Sequence, residues 1–402
     1  MAPAGRLPDG SILLHIGPYK TGSTAIQAAL HQGREELRGH GVLYAGTGTR
    51  AMRAGWAVIG STPRGRPTAT IDEWHSLVEE VREASEPLVC ISTEDFGRVG
   101  PEIAGRIVTD LGPDRVHVVT VVRRLDKLLP SQWQQRAQSW RTESYEEYLR
   151  AVLSERPRST ETGKAVWQSH DLKRQLKVWS DQVGTDRVIA IVADESDRSV
   201  LPRAFESLLG LPDGVLQKTP PANPSLSYNG VEMLRRLNLE AQERGWPDEV
   251  YYPVMRRMVH EMKEGGRGDG DRAVPGLPAW AEERVRELSE RRADVLASSG
   301  VRIVGDPDAL REVVAGGEAG EEVQTLSIDS AVRGLAGGVA GYQRLESKPG
   351  RRQIRRVRLG ASGPRRRAEP VLADVPARAL LAEAGRRTVA RGRRVVRRGE
   401  GQ

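Results

Sequence analysis

The sequence has little cysteine, few aromatic residues and no long apolar run. Cys90 is the single cysteine, which excludes an internal disulfide and any metal site built from cysteines alone. Aromatic residues make up 4% of the 402 residues, so Leu, Val, Ile and Ala must supply most of the core. No stretch has the length and apolarity of a membrane span, and the sequence shows no charged-then-apolar leader. We therefore expect a soluble, cytoplasmic protein.

Charge is divided unevenly along the chain. The net charge is +7, but residues 343–402 carry +13 and residues 1–342 carry −6. The segment 345–402 is rich in Arg, Gly and Pro, which predicts a disordered basic tail. We expect this tail to be a solvated appendage with at most weak contact to polyanions or a membrane surface.

Lysine is the rare basic residue in this chain. The sequence contains 8 Lys and 53 Arg, and Lys20 is the only lysine among the first 126 residues. A lysine ammonium is a compact point charge that fits where a planar guanidinium would not. Its use at position 20 points to close contact with an anionic group.

Buried strands alternate with helices over the first 210 residues. Apolar runs predict strands at 11–16, 87–92, 116–122 and 187–193, and apolar residues at helical spacing lie between them. Such alternation predicts an α/β fold with a central, mostly parallel sheet flanked by helices. We expect an α/β domain over 1–315, a linker or C-terminal extension over 316–344, and the basic tail over 345–402.

The loop at 17–24 joins the first predicted strand to the first helix. Its backbone N–H groups and the helix N-terminus favour an anion. Gly22 allows close backbone approach, Ser23 and Thr24 add hydroxyl donors, and Lys20 adds a full charge. The alternative is an ordinary strand-to-helix connection in which Thr21 or Ser23 caps the helix.

The order of residues in this loop differs from that of a Walker A motif. In that motif the lysine follows the last glycine and precedes Ser or Thr, whereas Lys20 precedes Gly22. No Mg²⁺-binding carboxylate follows at a familiar spacing. The order therefore favours transfer of an anionic group without an obligatory metal over nucleotide hydrolysis.

A second candidate anion site follows the strand at 116–122. Arg123 comes directly after this strand, and Ser131 lies eight residues later, in the next predicted helix. A guanidinium at the carboxyl end of a strand suits a phosphate monoester. The alternative is that Arg123 and Arg124 form surface ion pairs with Asp126 or other acids.

Together, the two segments resemble the sulfotransferases that use 3′-phosphoadenosine-5′-phosphosulfate (PAPS). Lys20-Thr21-Gly22-Ser23-Thr24 matches the family loop that holds the 5′-phosphosulfate, and Arg123 with Ser131 matches its 3′-phosphate pair. The resemblance covers about residues 11–230 and favours the bacterial and carbohydrate-directed branches. It implies a P-loop-like three-layer fold, PAPS as co-substrate and no metal. Where the steroid and phenol enzymes carry a Trp that stacks on adenine, this chain has Ala25, which leaves the adenine contacts open.

Family members use a Glu or a His as the catalytic base. Glu94 follows the strand at 87–92 on the sheet edge that also carries Lys20 and Arg123, so it is the candidate base, and Lys20 is the other catalytic candidate. Alternatively, Glu94 or Asp95 caps a turn or pairs with Arg98. His15 and His117 lie within strands and are interpreted as core residues.

Several assignments remain open at this stage. Asn223 and Ser225 either contact the nucleotide or form a turn and the N-cap of the next helix, which is slightly favoured. Trp133, Trp140 and Trp167 are either walls of an acceptor pocket or core residues. The acceptor would be a hydroxyl or amine of a small molecule, glycan or lipid. The rival functions are a nucleotide-dependent kinase and a polyanion-binding protein acting through the Arg-rich tail.

Overall fold

Six parallel strands form the centre of the part of the chain described by the computed structural model, residues 5–217, 225–314 and 323–346. Their order across the sheet is β2-β3-β1-β4-β5-β6, and every neighbouring pair is parallel. The strands are β1 Ile12–His15, β2 Val42–Tyr44, β3 Leu88–Ser92, β4 Val116–Val122, β5 Val188–Val192 and β6 Arg302–Val304. The predicted parallel sheet is therefore confirmed.

Fourteen α-helices accompany these strands across the described residues. Those up to β4 are α1 Ser23–Gln32, α2 Arg34–Gly39, α3 Met52–Ile59, α4 Ile71–Glu83 and α5 Pro101–Leu111. Those between β4 and β6 are α6 Leu125–Ala137, α7 Tyr145–Leu153, α8 Glu161–His170, α9 Leu172–Val183, α10 Val200–Leu209, α11 Tyr228–Glu243, α12 Asp248–Glu264 and α13 Ala279–Ala297. The last is α14 Ile328–Glu346.

The sheet is covered by helices on both faces, which gives three layers. In β1, Ile12 and Leu14 belong to one apolar cluster, while Leu13 between them belongs to the cluster on the opposite face. This alternation follows from the two-residue period of a strand, and it explains why the strand reads as an unbroken apolar run. The three-layer α/β architecture expected from the sequence is confirmed.

A third apolar cluster lies among the helices after β4. Trp133, Trp140 and Trp167 are buried in it, together with residues of α7, α11, α12 and α13. Of the two interpretations for these tryptophans, the core assignment is the one that the structure supports.

The segment predicted as a linker or extension contains a helix. α14 runs along α12 and belongs to the unit that spans Met1–Lys348. Its inner face is built from glycines, so the sequence lacks the apolar residues at helical spacing that usually mark the buried face of a helix. The predicted basic tail, apart from residues 345 and 346, lies outside the described residues.

No helix in the described part of the chain is both long enough and apolar enough to cross a membrane.

Candidate functional site

The site lies at the point where the strand order of the sheet reverses, beside β1. β1 lies between β3 and β4, so the chain runs to one side of β1 for β2 and β3 and to the other side for β4 and β5. Such switch points open a crevice beyond the carboxyl ends of the strands. The loop with Lys20 follows β1 and Arg123 follows β4, so the topology puts both candidate anion sites at this crevice.

The loop after β1 is held in a conformation that few residues adopt easily. Gly17 and Gly22 have φ angles of 83° and 102°, and a side chain on Gly17 would lie 2.8 Å from the Glu94 Cα. Lys20 has a φ of 66°, which is unfavourable for a residue with a Cβ. The Arg123 Nη1 donates to the Lys20 carbonyl oxygen at 2.8 Å and so helps to hold this strained turn.

The loop hydroxyls do not cap the first helix. The Thr21 and Ser23 Oγ atoms both donate to the Pro18 carbonyl oxygen, at 2.7 and 3.3 Å, and the N-cap of α1 is Gly22. The alternative of a connection capped by Thr21 or Ser23 is therefore wrong. Thr21 is buried, its hydroxyl is bonded within the loop, and a contact between Thr21 and a ligand stays a prediction. Without a capping side chain, the first N–H groups of α1 are left for another acceptor.

A cavity of about 600 Å³ brings the candidate residues together. Its lining includes every site residue predicted from the sequence except Thr21: Lys20, Gly22, Ser23, Thr24, Glu94, Arg123 and Ser131. The rest of the lining comes from α1, the segment before α3, α6, and the residues around α11 and α12: Tyr19, Ala25, Gln27, Gly48, Thr49, Arg50, Met52, Gln134, Gln135, Gln138, Ser225 and Lys263.

Two ammonium groups face this cavity without a counter-ion. Neither Lys20 nor Lys263 forms an ion pair or a side-chain hydrogen bond within the described residues. The pKa of Lys20 is lowered to about 8, first by burial and then by the positive charges of Lys263 and Arg123. Burial also lowers the pKa of Lys263. Positive charge that the protein leaves uncompensated is suited to an anionic ligand.

Arg123 lines the cavity but also has a protein partner. Its Nε and Nη2 bind both carboxylate oxygens of Glu195, at 2.5 and 2.9 Å. Ser131 lies in α6, on the cavity wall, and makes no side-chain hydrogen bond within the described residues. The adjacent Arg124 pairs with Asp126 at 2.9 Å, so both arginines form the ion pairs that the alternative expected, although the Arg124 pair is buried and does not lie on the surface.

The Glu94 carboxylate lies at the cavity wall and contacts the guanidinium of Arg50. Asp95 is occupied elsewhere: it accepts hydrogen bonds from Tyr19 and the Trp56 indole and pairs with Arg98 at 3.1 Å. The alternative pairing with Arg98 therefore applies to Asp95, while Glu94 faces the cavity.

The two strand histidines are distinct from the cavity lining. His15 is fully buried and its Nδ1 lies 2.7 Å from the Ser92 Oγ. Burial lowers the pKa of His15 to about 3, so the ring is neutral at physiological pH. Burial also lowers the pKa of His117, which is half-buried on β4. The assignment of His15 to the core is confirmed.

Ser225 lines the cavity, whereas the N-cap of α11 is Ser227, whose Oγ accepts from the Gly230 N–H at 3.0 Å. The favoured interpretation of Ser225 as part of the cap is therefore wrong. Asn223 lies outside the described residues.

Sequence reasoning missed Lys263, Arg50 and Glu195. For Lys263 a signal was available, because it is the only lysine between residues 219 and 347 of an Arg-rich chain, as Lys20 is at the start. Arg50 and Glu195 gave no such signal. Each is one charged residue among many, and its partner is far away in sequence.

Fold and site define an α/β protein with a cation-lined cavity at the carboxyl edge of its parallel sheet. No protein-family model matches the chain. No curated protein matches it either. A crystal structure of a sulfotransferase from Alicyclobacillus acidocaldarius aligns with 59% of this chain and 96% of its own, at 16% sequence identity and a TM-score of 0.36. A likeness this distant decides nothing about the chemistry of the site.

Proposed function

We propose that this protein is a sulfotransferase that moves a sulfuryl group from PAPS to a hydroxyl or amine of a small-molecule, glycan or lipid acceptor. The proposal is carried by one observation. The Lys20 loop and the Arg123–Ser131 pair line the same cavity, although Lys20 and Arg123 are 103 residues apart in sequence. A donor with an anionic group at each end of its nucleoside requires two such positions.

The Lys20 loop would hold the phosphosulfate end of the donor. Uncapped N–H groups at the start of α1 and the hydroxyl of Thr24 provide neutral donors, and Lys20 provides the charge, whereas the Ser23 hydroxyl would first have to leave the Pro18 carbonyl. Lys263, which lines the same cavity, adds a second ammonium that fits the several negative charges of the phosphosulfate.

Arg123 and Ser131 would hold the 3′-phosphate. The Glu195 carboxylate now occupies two nitrogens of Arg123, so the phosphate has to share that guanidinium or displace Glu195. A dianionic phosphate competes well for an arginine, because charge-assisted hydrogen bonds strengthen with the charge of the acceptor.

In the transfer step, Glu94 would accept the proton of the attacking hydroxyl or amine. The acceptor atom forms a bond to sulfur while the bond from sulfur to the bridging oxygen breaks. The electron pair of that bond remains on the 5′-phosphate of the departing 3′,5′-ADP, where Lys20 balances the developing charge. Arg50 would keep Glu94 oriented toward the cavity.

Donor binding can be tested by thermal shift with 3′,5′-ADP and with ATP and Mg²⁺. We expect the larger increase in melting temperature with 3′,5′-ADP, because only this ligand has phosphates at both ends. The increase should disappear in Lys20→Ala and persist in Lys164→Ala, which removes an exposed lysine from α8. A larger shift with ATP and Mg²⁺ would support the rival kinase and reject the sulfotransferase.

Transfer itself can be tested with PAPS that carries radiolabelled sulfur. Labelled product should form from extracts of the native host and should not form with Lys20→Ala. Binding of 3′,5′-ADP without transfer to any extract component would argue for a nucleotide-binding protein that is not a transferase.

A further inference from the structure

α14 has two unlike faces. The first consists of glycines and lies against α12. A Cβ on Gly337 would lie 2.7 Å from the Met258 Cα, and one on Gly341 would lie 2.8 Å from the Val254 Cα. Only glycine lets the two backbones approach this closely, so α14 is seated tightly along α12.

The start of α14 is fixed by hydrogen bonds. The Asp271 carboxylate accepts from the Ser327 backbone N–H at 3.0 Å and from the Ser330 hydroxyl at 2.5 Å. Ser227, the N-cap of α11, donates to the same carboxylate at 3.3 Å. The helix is therefore held against the body of the protein at its first turn and along its length.

The second face of α14 is apolar and exposed. Its side chains are between 41% and 81% exposed, and they make up five of the ten large apolar side chains exposed in the described residues. They follow one another at intervals of four, three, four and three residues, which places them on one stripe of the helix: Ile328, Val332, Leu335, Val339 and Tyr342. A continuous apolar stripe of this kind indicates an interaction surface.

A second copy of the chain fits this stripe poorly. The repeat covers only two heptads, fewer than the three or four that a coiled coil needs. Residues 347–402 follow directly and carry a net charge of +13. Parallel pairing of two α14 helices would bring two such segments together, and like charges would oppose it.

The same charge suits an anionic lipid surface. An apolar helix face gives only part of the affinity for a bilayer, and an adjacent basic segment supplies the rest through attraction to anionic headgroups. We propose that the apolar stripe of α14 lies on an anionic membrane surface, to which the net charge of +13 on residues 347–402 adds electrostatic attraction.

Vesicle co-sedimentation of the full chain tests this surface. We expect binding to vesicles of phosphatidylcholine mixed with phosphatidylglycerol, and little binding to phosphatidylcholine alone. The double variant Leu335→Glu and Val339→Glu should weaken binding about tenfold or more, because it brings two charges to the apolar stripe. The matched control is Leu239→Glu, which alters an exposed leucine on α11 and should bind as the unaltered chain does.

Three results would overturn the proposal. Unchanged vesicle binding by the double variant would mean that the basic segment acts alone. A dimer of the unaltered chain that becomes a monomer in the double variant, measured by light scattering, would assign the stripe to a second copy. Tight binding to a nucleic-acid duplex that the double variant loses would assign the stripe to that partner.

If circular dichroism shows that the double variant does not fold, Leu335→Ser provides the same comparison. Because no readout depends on catalysis, failure here leaves the proposed transferase unaffected.

Discussion

The two lysines and the two arginines of the cavity are held in different ways. Lys20 and Lys263 have no counter-ion among the described residues, whereas Arg123 pairs with Glu195 and Arg50 contacts Glu94. Uncompensated charge in a partly buried place is unfavourable, so proteins retain it mainly where a ligand supplies the opposite charge. The lysine side of the cavity is thus prepared for an anion, and the arginine side is already compensated by the protein.

A hydrogen bond joins these two sides. Arg123 donates to the carbonyl oxygen of Lys20, and the Arg292 guanidinium in turn donates to the carbonyl oxygen of Arg123 at 2.9 Å. The paired arginine therefore helps to position the unpaired lysine. Variants on the two sides should therefore have different effects. Loss of a lysine removes a positive charge that faces the ligand. Loss of Arg123 also removes the hydrogen bond that holds the backbone at Lys20.

The largest effect is expected at Lys20. Lys20→Ala should lower kcat/KM for PAPS by about a thousandfold or more, because the charge that develops on the bridging oxygen loses its counter-charge. Lys20→Arg should not restore activity, since a planar guanidinium does not fit the place of an ammonium in this strained turn. The measurement is steady-state kinetics with labelled PAPS. Activity near the original level in either variant would contradict the assignment.

Glu94, the proposed catalytic base, provides the next test. Glu94→Gln should lower kcat by about a hundredfold or more, because the amide cannot accept the acceptor proton. The dissociation constant of 3′,5′-ADP, measured by calorimetry, should stay within a few-fold of the original. If both quantities change together, Glu94 contributes to donor binding or to the structure of the loop beside Gly17, and another group is the base.

The sequence predicted the fold and the residues that line the cavity from the Lys20 loop better than it predicted the charged partners across the cavity. The buried strands and the loop at Lys20 are local patterns, set by periodicity and by the chemistry of consecutive residues. β2 and β6 have three residues each, too few for a pattern to emerge. Arg50 and Glu195 acquire their roles through pairs that only the tertiary fold brings together.

The helical part of the molecule shows the same limit. α14 went unrecognised because its inner face is made of glycines, which ordinarily disfavour a helix. Close packing on α12 outweighs that intrinsic preference. A propensity scale cannot register this, because the compensating contacts come from a segment 80 residues earlier in the chain.

A smaller pair of opposite effects is expected at Arg123 and Glu195. Arg123→Ala should weaken 3′,5′-ADP binding about tenfold, in keeping with the loss of a charge-assisted contact. Glu195→Gln should strengthen binding a few-fold, since Arg123 then has no competing carboxylate. Calorimetry on both variants measures the two constants. Weaker binding in Glu195→Gln would mean that Glu195 positions Arg123 for the ligand and does not compete with it.

The smallest expected effect is a shift in the pH dependence of activity, which tests whether Lys263 lowers the pKa of Lys20. With a pKa of about 8, Lys20 loses its proton as the pH rises through that value, so kcat/KM for the free enzyme should decline above it. Lys263→Met removes one positive neighbour that lowers this pKa, so the decline should begin at a higher pH. Burial, the larger cause, is unchanged, and it should keep the pKa of Lys20 below its ordinary value of 10.5.

The matched control is Lys164→Met, which should leave the pH profile of kcat/KM unchanged. An unshifted profile in Lys263→Met would mean that the two ammonium groups do not interact, and that Lys263 binds some other part of the ligand.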